Sequence, residues 1–223
     1  MEKKILYFDK PGPQNTDAVI QAVKERIKEL NIKHVVVASE SGRTALKVAE
    51  TLRDLKVKIV CVTAYAGIRK IYEKVPSQYL TNELKEKLRN LGVKILEETP
   101  WVFYGSAFDR AFLGNHTPST IIHRFLGRSM GYGFKTAIEV SLIAANVGTV
   151  PTDEEIISIA GTGWLGGGAD CAIVVKPAVI PRGEFIGPEN GMEVKEIIAM
   201  PRLKFTQEMI KEVKEKGYEL ADL

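Results

Sequence analysis

The chain has 223 residues, 45% of them hydrophobic and 26% charged, with a formal net charge of +3. That is enough for one large domain with a proper core, and the slight positive balance, spread over helix faces rather than gathered in a stripe, argues against a nucleic-acid partner. Cys61 and Cys171 both sit inside apolar runs without metal-ligand spacing, as core residues of a reduced intracellular protein do.

Met1-Glu-Lys-Lys leads straight into Ile5-Leu-Tyr-Phe8, which reads as a first strand and not as a signal-peptide core. The longest apolar helical run, Ile138–Val147, is too short and too interrupted by Glu139, Ser141 and Asn146 to span a bilayer. A soluble, cytoplasmic protein with no membrane partner is expected. The many Lys and Glu residues on helix faces point weakly to a thermophilic source.

After strand one comes a turn-rich segment, Asp9–Thr16, in which Asn15 or Thr16 can cap a helix whose apolar face is Val19, Val23, Ile27 and Leu30. His34–Ser39 is strand two, a helix runs from Gly42 to about Arg53, and Val57–Val62 is strand three. This alternation predicts parallel pairing with helices on both faces, and puts the ends of strands two and three on one edge. A helix from about Thr81 to Leu91, stopped by Gly92, precedes a short strand at Val93–Leu96.

The segment from Glu97 to Tyr132 is an aromatic, loop-rich insert with one helix near Ser119–Leu126. The next helix, about Gly133–Val147, is apolar on most sides and therefore buried. Ile156–Ile159 and Cys171–Val175 are strands joined by Ala160-Gly-Thr-Gly-Trp-Leu-Gly-Gly-Gly-Ala-Asp170. Five glycines fall within Gly161–Gly168, so this backbone approaches a ligand or a neighbouring chain; a plain flexible loop is the blander alternative. A strand at Glu193–Met200 and an amphipathic helix from about Thr206 complete the chain.

The most informative stretch is Val35–Ala45, Val-Val-Val-Ala-Ser-Glu-Ser-Gly-Arg-Thr-Ala. A strand that turns at Gly/Ser and opens a helix leaves backbone N–H groups and the positive helix end pointing at one spot. Ser41, Arg43 and Thr44 add two hydroxyls and a planar guanidinium there, which suits a phosphate; an ordinary turn with a solvated arginine is the plainer alternative.

With both loops in view, the chain resembles the C-terminal, allosteric domain of pyruvate kinase. The resemblance rests on Ser41-Gly-Arg-Thr-Ala45, Val60-Cys-Val-Thr63 and the glycine-rich Gly161-Thr-Gly-Trp164 loop, in that order. Gly133-Phe-Lys135 through Glu139, and Glu196-Ile-Ile before Pro201-Arg202, make it most similar to small free-standing relatives of that domain. The resemblance implies a three-layer α/β/α sandwich with a mostly parallel sheet, one domain over residues 1–223 with an insert at 97–132, self-association into a homo-oligomer, and bound flavin mononucleotide (FMN). It leaves no room for the pyruvate kinase catalytic barrel, so kinase activity is not expected. Leu165 stands where the pyruvate kinase loop has arginine, which favours a ligand with one phosphate and a large apolar body over a sugar bisphosphate.

By the same resemblance Ser39, Ser41, Gly42, Arg43 and Thr44 cradle the phosphate, with Glu40 also at the cofactor; Thr63 either closes the site or is a strand-end hydroxyl satisfied by backbone; and Gly161, Thr162, Gly163 and Gly168 line the opposite wall. Asp170 either takes a ligand hydroxyl or ring N–H or caps its own loop; Asn15 and Thr16 either touch the ligand or only cap their helix. Trp164 could stack on a flavin or serve an oligomer contact. Lys135 and Glu139, at i,i+4, form an internal ion pair or take part in site chemistry, and His116 and His123 have no assigned role. Two functions follow: an FMN-binding protein, with flavin-dependent oxidoreduction as one use of the cofactor, and a regulatory module that senses a phosphorylated metabolite.

Overall fold

The computed structural model describes residues 2–67, 79–104, 111–114, 116–163, 166–180, 186–205 and 207–215. Its strands are β1 (Leu6–Phe8), β2 (His34–Ala38), β3 (Lys58–Val62), β4 (Lys94–Leu96), β5 (Ile156–Ala160), β6 (Cys171–Lys176) and β7 (Glu193–Pro201). The helices discussed below are α1 (Thr16–Leu30), α2 (Arg43–Leu52), α3 (Asn82–Asn90), α4 (Pro118–Ser129), α5 (Tyr132–Asn146) and α6 (Gln207–Glu215).

The strands form one seven-stranded sheet in the order β1-β7-β6-β5-β2-β3-β4. β2 pairs in parallel with both β3 and β5, β3 with β4, and β1 with β7. Only β6 runs the other way, because the glycine-rich loop folds it back on β5 as a hairpin. The expected mostly parallel α/β sandwich is therefore the observed one.

Side-chain alternation along each strand divides the core into two layers. Val35, Val37, Ile59, Cys61, Ile157 and Ile159 pack under α1, α2 and α3 through Val23, Val48, Leu52 and Leu88. Val36, Val60, Val62, Ile156, Ala160 and Ile173 face the other way, onto α5. Burying each such aliphatic side chain contributes about 1.5–3 kcal/mol. Both cysteines are fully buried. The polar intruder on the α5 side, Ser158, is satisfied: its hydroxyl donates to the Ala137 carbonyl at 2.7 Å.

Local signals explain the starts of α3 and α4. Thr81 caps α3 by accepting from the Leu84 N–H at 3.3 Å. Thr117, followed by Pro118, caps α4 by accepting from the Thr120 N–H at 3.2 Å. The expected cap of α1 is not made. The Asn15 side chain donates to the Lys10 carbonyl at 2.9 Å, and the Thr16 hydroxyl donates to Pro13 O at 2.6 Å, so both hold the preceding loop.

Helix α5 is buried from Tyr132 to Ala145 apart from Thr136, as its apolar sequence predicts, because the sheet covers one side and α4 with a 3₁₀ turn at Val102–Tyr104 covers another. Among the described residues of the expected insert, α4 runs longer than predicted, and it exposes Ile121, Ile122 and Phe125. On its inner face His123 is buried, 5.8 Å edge-on to the Tyr132 ring, which meets Phe205 at 5.5 Å. Burial, with help from Lys135 and Arg124, pushes the His123 pKa down to about 3.

Unfolded, His123 takes up a proton near its ordinary pKa of 6.5, whereas folded it stays neutral down to about 3. Its contribution is thus complete above pH 6.5 and is lost as pH falls through that window. Acid titrations of the thermal midpoint should show a steeper loss for the wild type than for His123→Phe between those two pH values. Parallel curves would contradict this.

Candidate functional site

Because β1, β2, β3, β5 and β7 all run the same way, the segments that follow them collect at one edge of the sheet. The amino-terminal end of α5 reaches the same edge, since a Cβ added at Gly133 would stand 2.2 Å from Asp170 Oδ1. This is where ligands bind in open α/β sheets. A shallow groove lined by Lys3, Ile5, Val194 and Glu196 lies by the amino-terminal ends of β1 and β7 and takes no part in it.

The β2–α2 turn is held by the protein itself. Ser39 donates its N–H to Val62 O at 2.9 Å, accepts at its carbonyl from Gly42 at 3.3 Å, and accepts at its hydroxyl from Ala45 N–H at 3.3 Å. The buried Ser39 hydroxyl is therefore a brace of the α2 start. Gly42 is required: its φ is +80°, and a Cβ there would stand 2.3 Å from Leu80 Cδ1. Thr63 donates its hydroxyl to the Glu40 carbonyl at 2.9 Å, tying the end of β3 to the turn. Ser41 is half-buried, Arg43 is exposed and Thr44 is buried, all at the positive end of α2. Glu40 keeps solvent contact, yet the surrounding loops desolvate its carboxyl and raise its pKa, with Lys135 pulling the other way.

The glycine-rich loop packs against the chain as well. Gly168, at φ +80°, leaves no room for a Cβ, which would lie 2.6 Å from both Pro13 Cα and Thr16 Oγ1; one at Gly161 would meet Gly168 O at 2.5 Å. Thr16 Oγ1 accepts from the Ala169 N–H at 3.0 Å. The close approaches of Gly161 and Gly168 are made within the same chain, to Pro13, Thr16 and the loop's own carbonyl, whereas Gly163 and Gly167 border open space.

Asp170 joins the loops. Its Oδ2 accepts from Gly12 N–H at 3.1 Å and Thr162 N–H at 3.0 Å, so it caps its own loop and clamps the β1 loop to it. The Thr162 N–H is taken by this bond. Burial raises the Asp170 pKa, held back by Thr162 and the Gly12 N–H. Its Oδ1 is buried and makes no well-formed hydrogen bond among the described residues.

On the α5 side, Lys135 and Glu139 are both buried and pair at 3.0 Å, and Glu139 Oε1 also accepts from the Phe103 N–H at 3.0 Å. Tyr65, two residues beyond Thr63, meets Trp101 edge-on with ring centroids 5.4 Å apart. Sequence spacing did not suggest this aromatic pair, because its members come from separate loops. His116 is exposed, and Trp164 and Leu165 lie outside the described residues.

The family model for the pyruvate kinase alpha/beta domain matches residues 17–175. The chain belongs to this family. The match spans the β2–α2 turn, Thr63 and the glycine-rich loop with Asp170, so the edge assembled above lies largely within the pyruvate kinase alpha/beta domain. It also takes in α4 and α5, with Lys135 and Glu139, whereas Asn15 and Thr16 fall just before it. No described helix is long and apolar enough to cross a membrane, and no described group of His, Cys, Asp or Glu could hold a metal.

If Gly168 serves loop packing, Gly168→Ala should lower stability by about 1–3 kcal/mol, from overpacking at a positive φ. Gly163→Ala, with nothing within 4 Å of its added Cβ, should stay near wild type in the same thermal or urea unfolding series. Equal effects would refute the packing account.

Proposed function

We propose that this pyruvate kinase alpha/beta-domain protein binds flavin mononucleotide at the carboxyl edge of its sheet, with the phosphate on the β2–α2 turn. The observation that carries the reading is that turn. A helix start braced from within by Ser39 leaves Ser41, Arg43 and Thr44 at its positive end, beside the crowded wall of Glu40. The donor set suits a phosphate monoester, with Arg43 supplying charge-assisted hydrogen bonds. The Tyr65–Trp101 pair offers an aromatic face for a flat ring, and the unpaired Asp170 Oδ1 marks polar capacity that the described chain does not use. Flavin, once bound, supplies redox chemistry; the chain's part is to bind, orient and shield it.

Purified protein should be yellow or take up added FMN, with the chromophore identified by mass spectrometry after acid release. Arg43→Ala should weaken FMN binding roughly tenfold or more, the loss expected for a charged hydrogen-bond donor. Colourless protein that takes up no FMN would overturn the reading. The regulatory alternative, a module responding to a phosphorylated metabolite through its oligomeric state, would then replace it.

A further inference from the structure

The sheet ends on two three-residue edge strands, β1 and β4, and their sequences differ in kind. A free edge is a row of backbone N–H and C=O groups that pairs with another strand unless charge, proline or cover blunts it. On β4, Ile95 and Leu96 are buried, and Lys94 and Glu98 stand exposed beside them. On β1 the run Ile5-Leu6-Tyr7 carries neither charge nor proline, and its residues are 39%, 36% and 52% exposed. Val194, near the start of β7, adds a fourth exposed apolar side chain in the groove beside Ile5. Both β1 and β7 lie outside residues 17–175, so this edge is no part of the match to the pyruvate kinase alpha/beta domain.

The hydrogen-bond phase of β1 follows from its pairing. Phe8 O accepts from the Arg202 N–H at 2.7 Å, so Phe8 and, two residues back, Leu6 turn their backbone groups toward β7. Those of Ile5 and Tyr7 therefore point away from the sheet. A second copy of the strand, antiparallel about a two-fold axis at Leu6, sets Ile5 opposite the partner's Tyr7, and the two exchange both N–H···O bonds. The same register places Lys4 against the partner's Phe8, Glu2 against the partner's Lys10 and Lys3 against the partner's Asp9. Lys3 also pairs with Glu29 at 2.7 Å, which leaves its ammonium two further donors. With the axis at Tyr7, Lys4 would face the partner's Lys10; with it at Ile5, Lys3 would face the partner's Tyr7. Only the axis at Leu6 pairs the apolar run with itself and sets Glu2 and Lys3 against opposite charges.

We propose that β1 is a dimerisation strand: two copies of this chain join edge to edge through antiparallel β1 strands, with Leu6 on the two-fold axis, so that one sheet runs through both. Each copy donates the Ile5 and Tyr7 N–H groups to the Tyr7 and Ile5 carbonyls of the other, and the exposed apolar run is covered by its own counterpart. The interface does not depend on the flavin reading.

The test is the oligomeric state of the full chain, read by light scattering over a micromolar dilution series and by oxidative cross-linking. Wild type should be a dimer. Leu6→Cys should give a disulfide-linked dimer on mild oxidation, because a residue on the axis faces itself in a non-hydrogen-bonded pair, with Cα atoms about 4.5 Å apart and within disulfide reach. Ile5→Cys, opposite the partner's Tyr7, should not, and the native Cys61 and Cys171 are fully buried. Tyr7→Pro removes a donor that points away from β7, where an edge strand tolerates proline. It should raise the dimer dissociation constant at least roughly tenfold while circular dichroism stays that of the wild type. Ile5→Lys, which charges the same edge, should weaken the dimer likewise and serves if Tyr7→Pro does not fold. A monomeric wild type, cross-linking through Ile5→Cys instead of Leu6→Cys, or unchanged affinity in the folded edge variants would overturn the proposal.

Discussion

One buried carboxylate oxygen holds the working edge of this protein together. Asp170 Oδ2 accepts N–H groups from Gly12 and Thr162, joining a loop after the first strand to one that arrives some 150 residues later. Beside it the Thr16 hydroxyl takes the Ala169 N–H. Buried backbone donors must be satisfied, and an acceptor shared by both loops fixes their separation better than packing alone. The small residues around it follow from this contact: Gly168 and Gly133 exist to let backbone and carboxylate close in.

This constraint changes how the glycine-rich loop is understood. Glycine density suggests a backbone laid against a ligand, yet the tightest approaches are made to Pro13, Thr16 and the loop's own carbonyl. The same holds for Ser39 and Thr63, whose hydroxyls brace the turn between β2 and α2. Groups that look like ligand contacts in sequence form the frame. On the proposed reading, Ser41, Arg43 and Thr44 at the start of α2 are the groups that a ligand would meet. A frame satisfied from within keeps such groups in place without the ligand, which lowers the ordering cost of binding.

The charges at this edge are unevenly screened. Arg43 is open to water, where an anion can find it, whereas Lys135, Glu139 and His123 lie in the α4–α5 wall. Burial keeps His123 neutral beside Lys135, whose carboxylate partner Glu139 is fixed by the Phe103 N–H. A polar group with a defined partner inside an apolar layer has one arrangement, which fixes how α4 and α5 pack.

The order of elements, the parallel sheet and the two-faced core follow from the chain alone, because alternating Val and Ile in β2 and β3 and helical periodicity in α1 and α2 are local patterns. The Ser41-Gly-Arg-Thr motif was legible for the same reason: strand, turn and helix start are contiguous. What the sequence could not decide was the destination of side chains whose partners are distant. Asn15 and Thr16 have helix-capping identities, yet Asn15 bonds the Lys10 carbonyl and Thr16 takes the distant Ala169 N–H. Lys135 and Glu139 at i,i+4 on an apolar helix are legible as an internal ion pair, but their further partners are not. Only the packing of α4 and the 102–104 turn over α5 buries them and gives Glu139 its backbone donor. Local periodicity determines which elements form; the burial and hydrogen-bond competition that assign each polar residue its partner arise only when those elements meet.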